Sequence, residues 1–135
     1  MPVDVSLSTN TPTATIELRQ AQPLGTEGHL AAFLVVRSGA FAAALPFVFH
    51  RDDLTAFAEA LDAVAATRSG VALLRGSASD DVIRFEAGNE GALRVCGDLY
   101  ETSGMQRLTF SFAAEWEGVD AFSDGIRRLR ARDVS

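Results

Sequence analysis

Cys96, His29 and His50 are the residue types from which a thiol nucleophile or a transition-metal site could be built. A reactive thiol needs a base within hydrogen-bond reach and a setting that lowers its pKa. Cys96 instead stands mid-strand in "LRVCGDLY", with no helix start or glycine-rich turn beside it. That is the setting of a small, inert strand cysteine. The three residues are also widely separated, with no C-x-x-C type of ligand spacing, so neither a metal nor a cofactor is expected. Asp52-Asp53 and Glu115 with Glu117 are paired carboxylates, which could do acid–base work if one were desolvated. Each pair precedes a helical apolar stripe, where the helix dipole favours acids and Asp52 or Asp53 would serve as a cap. With no phosphate-cradling loop and no nucleophile elbow, the chain reads as a protein that is not an enzyme.

The elements around these residues are written twice. "LPFVFHRDDLTAF" (45–57) and "LTFSFAAEWEGVDAF" (108–122) both run Leu-x-Phe-x-Phe, pass an acidic turn, and restart with an apolar residue, two positions and a Phe. Leu45, Phe47 and Phe49 alternate as one face of a strand; Leu54, Phe57, Leu61 and Val64 form one stripe of a helix that Gly70 ends. Leu108, Phe110 and Phe112, then Val119, Phe122, Ile126 and Leu129, repeat both patterns. Further strands are expected over 13–20, 30–36 ("LAAFLVV", apolar on both faces and therefore central), 71–75, 82–87 and 93–100. Glycine-containing turns, "GNEG" and "SGMQ", join the later ones as a meander. The expected architecture is α+β: one antiparallel sheet of about seven strands, with two helices on one face and an internal strand–helix duplication. Residues 1–12 are polar and expected to be a flexible segment before a single domain over 13–135.

Composition narrows the function. The chain of 135 residues has a formal charge of −6, and every one of its twelve cationic side chains is arginine. Arg127, Arg128, Arg130 and Arg132 against Asp133 concentrate positive charge in 127–135, leaving the remainder acidic. An acidic body argues against general nucleic-acid affinity and suits a basic protein partner. No apolar run is long enough to span a membrane and no secretory signal is evident, so a cytoplasmic location is expected.

The strand "HLAAFLVVRSG", the acidic helix "DDLTAFAEALDAV", a meander closed by "LTFSF" and the helix "VDAFSDGIRRL" resemble a group of small bacterial α+β proteins that includes immunity proteins of the wall-associated-protein toxin type. The resemblance implies a non-catalytic inhibitor that binds and neutralises a toxin, and carries no catalytic residue to transfer; the acidic body would suit a basic toxin domain. Strand alternation turns Ile83, Phe85, Leu93, Val95, Leu99, Leu108 and Phe110 towards the helices, and Arg84, Glu86, Arg94, Cys96, Asp98, Tyr100, Arg107, Thr109 and Ser111 away. Arg and Tyr are enriched at binding hot spots, so Arg94, Asp98 and Tyr100 are candidate partner contacts, with Glu115, Trp116 and Glu117 at the second strand–helix turn. Trp116 also fits a staple at the helix start. The alternative is a small-ligand-binding or enzymatic domain with a pocket between sheet and helices, using His50, Asp52, Asp53 and Cys96. A third reading is a homodimer formed through an exposed sheet edge.

Overall fold

A computed structural model of the chain describes residues 3–7, 14–25, 27–77, 81–88, 92–100 and 106–134. Four strands and a helix occur twice: β1 (Val3–Leu7), β2 (Ala14–Leu24), β3 (His29–Ser38), β4 (Phe41–His50) and α1 (Arg51–Thr67), then β5 (Val71–Arg75), β6 (Val82–Ala87), β7 (Leu93–Tyr100), β8 (Arg107–Ala114) and α2 (Trp116–Val134). The α+β class holds. The single sheet of about seven strands is corrected to two four-stranded antiparallel meanders, ordered β1-β2-β3-β4 and β5-β6-β7-β8. The split follows from α1, which carries the chain away from β4 so that β5 starts a separate sheet.

The eighth strand lies in the segment expected to be flexible. Val5 and Leu7 are buried, β1 pairs with β2, and α2 packs on it. A Cβ at Gly125 of α2 would stand 2.8 Å from Val5 Cγ1, so glycine permits this close approach. Residues 1, 2 and 8–12 of that segment lie outside the described residues, as does most of each turn expected at "GNEG" and "SGMQ".

Each half donates its helix to the other half. α1 packs chiefly on β5 and α2, and α2 packs on β1 and β2. The doubled stripes therefore meet in one core: Phe47, Phe49, Leu54, Phe57, Leu61 and Val64 are buried, and so are Phe110, Phe112, Val119, Phe122, Ile126 and Leu129. Phe57, Phe85 and Phe122 cluster at the centre, with ring centroids 5.1–6.4 Å apart. Between the helices, Asp62 accepts hydrogen bonds from Ser123 Oγ at 2.8 Å and from Arg127.

Helix α1 is capped differently from the expectation. His50, in extended conformation, is the N-cap: its Nδ1 accepts from the Asp52 amide at 3.1 Å, and its Nε2 lies 3.1 Å from the Glu27 carbonyl oxygen. Asp52 and Asp53 fall in the first turn, where they face the positive end of the dipole. At the far end Arg68, at φ 57°, takes the left-handed position and its amide bonds the Val64 carbonyl at 2.8 Å; Gly70, at φ 91°, follows.

Candidate functional site: the outer face of the second sheet

Register sets the outer face of β5–β8 in rows across the strands. Val71, Glu86, Arg94 and Ala113 form one row; Leu73, Arg84, Cys96 and Ser111 the next; then Arg75, Val82, Asp98 and Thr109; and last Tyr100 with Arg107. The alternate residues Ile83, Phe85, Leu93, Val95, Leu99 and Phe110 are buried against the core, with Leu108 half-buried.

Asp98 is the hub of this face. Its Oδ1 accepts from Thr109 Oγ1 at 2.7 Å and from Arg107 Nη2 at 2.9 Å. Those hydrogen bonds, Thr109's first and Arg107's second, hold the Asp98 carboxyl below the usual carboxylate range. Arg107 also lies over the Tyr100 ring, 5.4 Å from its centroid. Arg94 Nη1 donates to Ser111 Oγ at 2.8 Å. Arg94, Arg107 and Tyr100 are thus held in place by contacts within the sheet. A group whose folded pKa is depressed adds stability above its ordinary value and loses it as pH falls through the folded one. Asp98→Asn should therefore be less stable than wild type near neutral pH, and the gap should close below about pH 4. Urea melts across that range check this; a gap that persists in acid would show that the hydrogen-bond geometry, and not the charge, matters.

The candidate contacts divide between two places. Asp98 and Tyr100 sit towards one end of β7; Arg94, paired with Ala113, sits towards the other, near the turn into α2. Trp116 is half-buried against the core and covered by the Arg68 guanidinium, 4.3 Å from the ring centroid. It thus packs at the start of α2 with one ring face under Arg68. Glu115 is half-buried beside it and Glu117 is exposed in the first turn of α2.

The residues of the alternative chemistry are not gathered. Cys96 is buried on the outer face among Arg84 and Glu86, and burial pushes its thiol above the usual value. His50 stacks edge-on to His29, with centroids 5.1 Å apart, at the start of α1. Among the described residues no group of three His, Cys, Asp or Glu side chains could hold a metal. A groove of about 390 Å³ lies between residues 41–45 and residues 99–100 and 106–108; His50, Asp52, Asp53 and Cys96 do not line it. Sequence reading missed that groove. It also missed the open outer face of β3, where Phe33 is 50% exposed; the apolar run "LAAFLVV" was the signal, but it implied cover on both faces.

No protein family model and no curated protein matches the chain. Among solved structures it is similar to the plant transcriptional regulator PBF-2, with a TM-score of 0.60 over 99% of this chain and 83% of that one at 8% identity. A likeness at that identity is one of fold. No helix among the described residues is long and apolar enough to cross a membrane.

Proposed function

We propose that the chain is a non-catalytic protein-binding module of the cytoplasm, an immunity-like inhibitor in its specific form, that meets its partner with the outer face of β5–β8. The observation that carries this reading is the clamped group of Asp98, Arg107, Thr109 and Tyr100, which presents hot-spot residue types at little cost in ordering. The face holds Arg75, Arg84, Arg94 and Arg107 against Glu86 and Asp98, so it suits an acidic surface on the partner. A basic toxin domain, the partner that the overall charge suggests, would meet the other side instead, where Asp52, Asp53, Glu117 and Asp120 are exposed on the helices.

A tagged pull-down from the native host, followed by mass spectrometry and a salt titration, tests the proposal. One stoichiometric protein released by salt is expected, with binding lost in Arg107→Glu and in Arg94→Glu. Binding that survives both variants but fails in a Asp52→Arg, Asp53→Arg double variant would move the interface to the helices. No protein partner at all would sink the inhibitor reading. A second reading takes its lead from the fold likeness: a role in regulating transcription, as named for the plant protein, with the arginine face against phosphates. Nucleic acid in the same eluate, removed by nuclease, would favour it.

A further inference from the structure

The edge of β4 points to a second interface, which adjoins the proposed partner face where Tyr100 and Arg107 line the groove beside it. β4 is an edge strand of its sheet and pairs with β3 without irregularity from Phe41 to His50. In an antiparallel ladder, alternate residues turn both main-chain groups to the same side. The Val48 carbonyl turns away from β3, because it accepts from the Ser77 amide at 2.7 Å. Ala42, Ala44 and Pro46 share its parity and turn the same way. Residues 76–77 cover the edge near Val48; at Ala42 and Ala44 the amides and carbonyls have no partner among the described residues. Pro46 has no amide to offer.

Between Phe41 and Leu45 no charged side chain or proline opposes pairing. Edge strands are commonly protected by charged side chains, yet the segment Phe41–His50 carries no lysine, arginine or carboxylate. Phe41 is 68% exposed, the most exposed of the large apolar side chains among the described residues. It shares a strand face with Leu45 and with the buried Phe47 and Phe49, so it stands where the core face of the sheet runs out into the groove.

We propose that this edge pairs with the same edge of a second copy of the chain, antiparallel about Ala43. The register closes on itself. Ala42 faces the partner's Ala44 and Ala44 faces the partner's Ala42, so the four outward groups of each copy are used in four hydrogen bonds. Pro46 ends the ladder at the next position, where an amide would be required. On the core side Phe41 meets the partner's Leu45 at the groove, beside Leu99 and Leu108. On the outer side only alanines meet, which lets the strands reach sheet spacing. The product is one sheet of eight strands across a two-fold axis, an isologous interface. Five paired residues and two Phe41 rings put the buried area near or below the roughly 1,000 Å² of stable specific interfaces, so association is reversible.

Sedimentation equilibrium of the purified chain tests this, from about 1 μM to about 1 mM, a range that spans weak dimer affinities. A monomer–dimer equilibrium is expected, weakened at least tenfold in Ala44→Pro, which removes an outward amide and no internal bond, and in Phe41→Ser. Both variants should keep the wild-type melting temperature. In a Cys96→Ser background, Ala43→Cys should form a disulfide-linked dimer under mild oxidation, since facing residues of a non-hydrogen-bonded pair lie about 4.5 Å apart at Cα. Ala66→Cys, exposed on α1, is the control. A monomer throughout the range would overturn the proposal, leaving an extended peptide of another protein as the occupant to seek. So would a dimer indifferent to Ala44→Pro and Phe41→Ser, or cross-linking of Ala43→Cys no faster than the control.

Discussion

Gly97→Ala is expected to destabilise the protein by about 3 kcal/mol or more, the upper range for forcing atoms into a close-packed core. Gly97 lies in the middle of β7, opposite Ile83 on one side and Phe110 on the other. A Cβ there would overlap the Val82 carbonyl oxygen and stand 2.9 Å from Phe110 Cε1 and 3.1 Å from Phe110 Cζ. The ring cannot swing freely, because Phe110 is buried and stacked on Phe112 with centroids 6.1 Å apart. Nor can the carbonyl move without disturbing the β6–β7 ladder. Interiors packed to crystal-like density transmit such a displacement to their neighbours. Chemical denaturation of the variant decides the matter: a change under about 0.5 kcal/mol, the range of ordinary surface substitutions, would mean that the two central strands lie farther apart than described.

Phe85→Ala should cost about 3–5 kcal/mol, the usual loss when a buried phenyl leaves a cavity. Phe85 is fully buried, 5.6 Å from Phe57 of α1 and 5.1 Å from Phe122 of α2. It is the ring that both helices share, so its removal loosens the two halves together. Set against a typical total of about 5–15 kcal/mol, that loss consumes a large part of the folding free energy. For a chain of this size it corresponds to a fall of roughly 10–20 °C in melting temperature. One transition should persist, with tryptophan fluorescence and far-ultraviolet circular dichroism falling together. Separate transitions for the two probes would show that the halves are coupled less tightly than a single core requires.

The doubled Leu-x-Phe-x-Phe strands and their helical stripes were legible because each residue's burial follows its own period; Phe47, Phe57, Phe110 and Phe122 all point inward as read. The outward set on β6–β8 was legible for the same reason. Which strands share a sheet was not, because no residue near β4 or β5 encodes whether the chain pairs across a helix or begins afresh. β1 was hidden by its brevity: "VDVSL" has only alternate valine and leucine to offer, and the burial of Val5 and Leu7 depends on α2, with Gly125 far along the chain. His50 as a cap was missed because histidine can accept an amide only in the tautomer that leaves Nδ1 unprotonated. The covering of Trp116 by Arg68 depended on a left-handed residue at the end of α1, a position where glycine was expected. The Asp98 hub was named residue by residue as an outward row, but its clamp on Arg107 and Thr109 needed the register of β7 against β8.

The exchange of helices between the halves has a consequence for how the molecule can be made. Among the described residues β1 is packed by α2, and β5 is packed by α1, which precedes it. As a ribosome delivers the chain, the second meander can assemble against a helix already present, while the first strand has to wait for the helix that follows β8. A nascent chain stopped after α1 would hold Val5 and Leu7 without the helix that packs on them in the finished fold. The first half therefore owes its last step of order to residues translated long after it, and assembly is completed by closing the loop from end to beginning.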